Sequence, residues 1–218
     1  MEIKACIFDL DGTLLNTLST ITYYVNAALA RIGARAISEE ECRGLVGKGA
    51  RNLLERALCL VGCEVADFEA FLHGYDAHYN SDPAYLTAPY EGIEPLIDVL
   101  YKSGMRIAVL SNKPEGAAKP LVERYFGNKI SVVSGGKPGA ILKPDAGAVA
   151  PILASFGVKA EQTAFIGDSG VDMQTAKNYG AAKGIGVLWG FRDAGELLSC
   201  GADLLAAQPS DILKALNI

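Results

Sequence analysis

The sequence predicts an α/β protein with a doubly wound, mostly parallel, Rossmann-like sheet as its core and an α-helical cap domain inserted into it. Three observations carry this. A short apolar strand near the start ends at two acids, Asp9 and Asp11. The stretch from about Leu15 to Pro83 then has only helical periodicity, and from Glu94 onward helices and strands alternate. Alternation of this kind builds a parallel sheet covered on both faces, with its ligand crevice beyond the carboxyl ends of the strands. The predicted division is 1–14 with 90–218 for the core and 15–89 for the cap with its hinge linkers.

Composition sets outer limits. The 218 residues suffice for a full core, half of them are hydrophobic, and the net charge is −5 from 20 Lys and Arg against 25 Asp and Glu. Without a basic stripe, a nucleic-acid partner is not expected. No run reaches the ~18 apolar residues of a membrane span, and Met1-Glu2-Ile3-Lys4 leads straight into a strand rather than a signal peptide, so a cytoplasmic location without membrane association is expected. Five cysteines have no metal-ligand spacing and predict reduced, packed thiols, with Cys59 and Cys63 in the core.

In chain order, Ala5 to Phe8 reads as a strand buried on both faces that delivers Asp9 and Asp11 to one side, Gly12 permitting a sharp exit. Leu18, Ile21, Val25, Ala28, Leu29 and Ile32 recur at helical spacing up to Gly33. Ser38 and Glu41 have capping-box spacing and open a helix running to about Val46, which Gly47-Lys48-Gly49 interrupts. Arg51 to Val61 and Asp67 to Tyr79 resume the period. His73 and His78, five apart, diverge around the second of these helices and are read as surface or packing residues. Pro83, Thr87, Ala88, Pro89 and Gly92 form a breaker-rich passage. Beyond it come helix 94–102, strand 106–110, helix 115–126, strand 130–133, helix 145–156, strand 163–166, helix 171–179, strand 184–187, helix 192–199, strand 203–205 and a last helix from Pro209.

Polar groups cluster where these strands end. Phe8-Asp9-Leu10-Asp11-Gly12-Thr13-Leu14 resembles the first motif of the haloacid dehalogenase-like superfamily, and Asp11 resembles the second acid of its phosphatase branch. Ser111-Asn112-Lys113 resembles the second motif, Lys143-Pro144-Asp145 the third and Gly167-Asp168-Ser169-Gly170-Val171-Asp172 the fourth, in family order. Pro144 at a first helical position would set Lys143 beside the positive end of a helix.

The resemblance implies a magnesium-dependent phosphatase acting on a small anionic phosphomonoester. It implies Asp9 as nucleophile, Asp11 as general acid and base, and Lys143 in contact with both nucleophile and phosphate. It also implies Ser111 and Asn112 as phosphate donors, magnesium on Asp9, Asp168 and the Asp11 carbonyl, and Asp172 in support. The stretch 45–51 resembles the specificity segment of phosphoglycolate phosphatases, which would make Gly47, Lys48 and Arg51 substrate contacts and 2-phosphoglycolate the substrate. Pro89 to Ile93 and Val187 to Phe191 resemble further landmarks of that branch. A sugar phosphomutase and a phosphate-accepting signalling receiver are the alternative readings of the same acid set.

Overall fold

The computed structural model describes residues 2–218. Strand β1 (Ala5–Phe8) leads to the two-residue β2 (Leu15–Asn16), and helices α1 (Leu18–Ala30), α2 (Glu39–Leu45), α3 (Gly49–Val61) and α4 (Phe68–Ser81) follow. The chain returns through β3 (Ala88–Pro89), which pairs antiparallel with β2 in the register Leu15 with Pro89 and Asn16 with Ala88. The helical insertion therefore leaves and re-enters at one place.

The remainder alternates: α5 (Ile93–Lys102), β4 (Arg106–Pro114), α6 (Glu115–Phe126), β5 (Val132–Gly136), α7 (Ala150–Phe156), β6 (Thr163–Gly167), α8 (Gly170–Tyr179), β7 (Lys183–Val187), α9 (Ala194–Ser199), β8 (Leu204–Ala206) and α10 (Pro209–Leu216). Six strands form one sheet in the order β5-β4-β1-β6-β7-β8, with every pairing parallel. β1 lies inside it, between β4 and β6, and its four residues are fully buried, as a strand covered by helices on both faces requires.

The apolar interior follows the same division. One cluster (Phe8, Ile97, Leu100, Val109, Ile166, Ile212) and another (Ile7, Ala108, Val149, Ile152, Phe165) occupy the two faces of the sheet. A third (Ile21, Val25, Leu29, Leu54, Leu58, Tyr75, Tyr79) fills the insertion and reaches the core at Ala117 and Phe191. The capping box at Ser38 is present, with its hydroxyl accepting from Glu41 N at 3.1 Å and Ser38 N donating to Glu41 Oε2 at 2.8 Å. No described helix is long and apolar enough to cross a membrane.

Four expectations are corrected. β4 extends to Pro114 rather than Leu110, because it bulges: Leu110 faces Ser134 while Pro114 faces Gly136. The expected helix 145–156 is broken, since Asp145 Oδ1 accepts from Gly147 N at 2.7 Å to close a short 3₁₀ turn. Pro144 is therefore not at a helix start; Pro151 sits in the first turn of α7. Finally, Cys59 is exposed on α3, while Cys63, just past the left-handed Gly62 that ends the helix, is half-buried against the apolar cluster of the insertion.

Candidate active site

Asp9 and Asp11 emerge where the buried β1 runs out at the carboxyl edge of the sheet. Asp9 N donates to Ile166 O at 2.9 Å, which prolongs the β1–β6 pairing by one residue, and Leu10 N donates to Asp9 Oδ1 at 2.6 Å. The turn beyond is fixed by Gly12, whose φ of +83° belongs to the left-handed region. A Cβ there would lie 2.2 Å from Asp168 Oδ2, so this position also admits no side chain on packing grounds.

Lys143 arrives from the loop after β5, with Nζ 2.9 Å from Asp9 Oδ1 and 2.7 Å from Asp172 Oδ1. Its approach depends on Asn112. Lys143 N donates to Asn112 Oδ1 at 2.9 Å, while Asn112 Nδ2 donates to Lys143 O at 3.0 Å and to Gly47 O, in the insertion, at 3.1 Å. The Asn112 amide is thus engaged in holding the lysine loop and the insertion. Asp172 accepts at Oδ2 from Ser169 N at 3.0 Å and from Ser169 Oγ at 2.6 Å. Asp168 accepts from Phe191 N at 2.7 Å and from Thr13 Oγ1 at 3.2 Å.

Charge is unbalanced here. The carboxylates of Asp9, Asp168 and Asp172 each offer an oxygen within 4.8 Å of the others, and a single ammonium, that of Lys143, faces them. Burial pushes the Asp9 carboxyl up to about 7, and it raises Asp168 well above the usual carboxylate range, with Asp172 and Asp9 adding repulsion. Burial alone would lower the Lys143 ammonium, but Asp172 and Asp9 outweigh it and hold it above its ordinary value. Three buried acids against one lysine are a donor set that fits a hard divalent cation with oxygen ligands.

Asp11 has another partner. Lys113, carried by the β4 bulge and almost fully buried, places Nζ 3.1 Å and 3.2 Å from the two Asp11 oxygens and donates to Tyr79 Oη on α4 at 2.7 Å. Burial, reinforced by Asp11, raises Tyr79 well above the ordinary phenol value, so it meets Lys113 as a neutral hydroxyl.

Above these groups opens a cavity between the sheet and the insertion. Core residues Asp9, Asp11, Ser111, Asn112, Lys113 and Asp168 form one wall. The insertion supplies the other, with Ile21, Val46, Gly47, Leu53, Tyr75 and Asp76 among its residues. Of the residues expected from the sequence, Asp9, Asp11, Ser111, Asn112, Lys143, Asp168, Asp172 and Gly47 come together. Lys48 and Arg51 do not. Lys48 is exposed, and Arg51 points outward to Glu69 at 2.7 Å and stacks 5.2 Å from the Phe68 ring.

Tertiary contacts unforeseen from the sequence involve Lys113, Tyr79 and Arg192. Arg192 Nη1 and Nη2 donate to Arg43 O at 2.7 Å and Val46 O at 2.8 Å, and Arg43 Nη1 donates to Gly190 O at 3.3 Å, clamping the insertion to the core. The stretch 187–191 also buttresses the first motif, because Trp189 Nε1 donates to Thr13 O at 3.0 Å.

The family profile described as haloacid dehalogenase-like hydrolase matches residues 6–185, which takes in all four strand ends. The chain belongs to the haloacid dehalogenase-like hydrolases. Among relatives in this family, a phosphoglycolate phosphatase of Rhodospirillum rubrum is 38% identical over 184 residues, covering 81% of this chain and 76% of its own. One from Agrobacterium fabrum is 33% identical over 194 residues, covering 86% and 81%. In three dimensions, a provisionally named phosphoglycolate phosphatase from Lactobacillus delbrueckii subsp. bulgaricus superimposes with a TM-score of 0.92 over 99% of both chains at 29% identity. The hydrolase fold therefore extends across the insertion as well as the sheet.

Proposed function

We propose that this hydrolase is a magnesium-dependent phosphatase of small phosphomonoesters, with 2-phosphoglycolate as substrate, and that it works through an aspartyl phosphate on Asp9. The observation that carries the reading is the pairing at the end of β1: Asp9 touches the Lys143 ammonium at 2.9 Å, and Asp11 stands two residues on beside the cavity. The relatives named phosphoglycolate phosphatase support the choice of 2-phosphoglycolate. The helical insertion acts as the cap, with its hinge at the β2–β3 pair. A cytoplasmic location belongs to the same proposal and is supported by five free thiols.

In this mechanism an Asp9 carboxylate oxygen attacks phosphorus in line, and the bond from phosphorus to the ester oxygen breaks. Asp11 gives its proton to the departing oxygen. Asp11 then takes a proton from water, whose oxygen attacks the same phosphorus, and the bond to Asp9 breaks to release phosphate. Lys143 and the Ser111 hydroxyl hold the transferring oxygens, and charge stabilisation is the dominant requirement for such transfers. Asn112 keeps Lys143 in place. Asp9, Asp168 and the Asp11 carbonyl, with Asp172 in support, would hold a magnesium ion, which when bound would supply positive charge to the transferring group. The burial of these carboxylates, and the lift it gives Asp9, support that fit.

The test is Asp9→Asn. Turnover should fall by more than about 10³-fold, as for loss of a nucleophile. The circular dichroism spectrum and melting curve should stay native, since Lys143 retains Asp172. Substantial residual activity in a folded variant overturns the assignment.

A further inference from the structure

We infer that Lys113 is the residue that recognises the carboxylate of the substrate's leaving group, exchanging its hold on Asp11 for that carboxylate. The inference rests on the phosphatase reading and adds to it the means of substrate selection. Its ground is the composition of the cavity wall. Among the described residues the insertion contributes no lysine or arginine to that wall, and the core contributes two, Lys113 and Arg192. Arg192 is engaged by the carbonyls of Arg43 and Val46 and by Glu196 at 3.4 Å, a set of contacts that fastens the insertion. Lys113 remains.

Its position suits the role. With phosphorus at Asp9, Asp11 faces the ester oxygen, and in 2-phosphoglycolate the carboxylate lies one methylene from that oxygen. Beside that point stands the Lys113 ammonium, 3.1 Å from Asp11. A buried ammonium must keep an anionic or hydrogen-bonding partner. A substrate carboxylate replaces one carboxylate by another, so the exchange leaves Lys113 satisfied while Tyr79 Oη continues to accept from it. It also frees an Asp11 oxygen for the leaving group.

The opposite wall limits size. Asp76 on α4 also lines the cavity, and its carboxylate disfavours an anion extended toward it, which favours short acids. As a purely structural pair, Lys113 and Asp11 would bring little stability, because desolvation offsets most of the attraction of a buried ion pair.

The experiment compares kcat/KM, with magnesium, for three phosphomonoesters of equal length: 2-phosphoglycolate, 2-hydroxyethyl phosphate and 2-aminoethyl phosphate. In the wild-type chain it should fall in that order, by at least about tenfold from first to last, as expected for a buried charged hydrogen bond. In Lys113→Met the ratio of the first ester to the second should fall by at least about tenfold, and Lys113→Arg should hold that ratio within about threefold of the wild-type value. A variant in which both rates fall together at unchanged ratio overturns the assignment and leaves the phosphatase reading standing. Should Lys113→Met fail to fold, the wild-type series still decides: 2-aminoethyl phosphate hydrolysed as well as 2-phosphoglycolate overturns it. No phosphate release from any of the three removes the phosphatase reading and this inference with it.

Discussion

Gly190→Ala adds one methyl group beside Asp168 and should damage both stability and metal-dependent chemistry. A Cβ at this position would lie 2.2 Å from Asp168 Cβ and 2.4 Å from Gly12 O. Carbon atoms in contact prefer ~3.5–4.0 Å, so something must move by more than about 1 Å. Neither neighbour yields easily: Gly12 is fixed at the exit of β1, and Asp168 is held by Phe191 N at 2.7 Å and Thr13 Oγ1 at 3.2 Å. Overpacking costs about 1–3 kcal/mol. Losing the charged hydrogen bond from Phe191 N adds about 1.5 kcal/mol or more, for a total near 3 kcal/mol. A shift of ~1 Å in a positioning group lowers turnover on the order of 10²-fold. Gly116→Ala is the comparison: it makes the same chemical change in α6, where a Cβ meets nothing within 4 Å, and should stabilise by about 0.5 kcal/mol. Urea unfolding of both variants, with phosphate release across a magnesium titration, reads the difference. Equal unfolding midpoints and an unchanged magnesium requirement in Gly190→Ala would refute the claim that this contact locks Asp168.

Lys143→Met leaves Asp9 and Asp172 buried without their ammonium and should cost about 3–5 kcal/mol in chemical denaturation; a loss under about 1 kcal/mol would show that other groups compensate the acids. Burial lifts Asp9 from an ordinary 3.8 to about 7, so between those values the unfolded chain has released a proton that the folded chain keeps. Raising pH through that window therefore favours unfolding of the metal-free protein, and the contribution is fully lost above the folded value. Magnesium should raise Tm more at pH 8 than at pH 5, and equal shifts would contradict this. Arg51→Ala should change KM for 2-phosphoglycolate less than about threefold and leave the unfolding midpoint close to wild type, because its pair with Glu69 is exposed. A tenfold rise in KM would restore the substrate-contact role that the sequence suggested.

The sheet and the insertion were legible because periodicity records which faces are buried, and β1 announces itself as an apolar run that stops at two acids. Asp168 and Asp172 were legible through the resemblance of their stretch to the fourth motif, and they stand at the end of β6 and one helical turn later. What escaped depends on contacts between segments remote in sequence. Two-residue strands such as β2 and β3 are too short to carry a period, and the β4 bulge that presents Lys113 to Asp11 is a property of pairing with β5. Asn112 reads as a phosphate donor by motif, yet its amide bonds to Gly47 and Lys143, which only the folded chain brings near. Arg51 and Arg192 reverse expectation similarly: the cation inside the specificity-like segment faces solvent, and one from the far end of the chain reaches the cavity.

The place of β1 within the sheet has a consequence for how the molecule assembles. Its hydrogen-bonding neighbours, Arg106–Pro114 and Thr163–Gly167, both lie beyond the whole helical insertion. Helices α1 to α4 close on partners near in sequence and can form early, whereas pairing across such distances is slow. The strand that bears Asp9 thus leaves the ribosome before either of its partner strands and is among the last to be secured. Until β4 and β6 arrive, it is an entirely apolar segment with both edges open, the kind of species from which aggregates start. Recovery of active protein should therefore depend more on the temperature and rate of synthesis than the stability of the finished sheet would suggest.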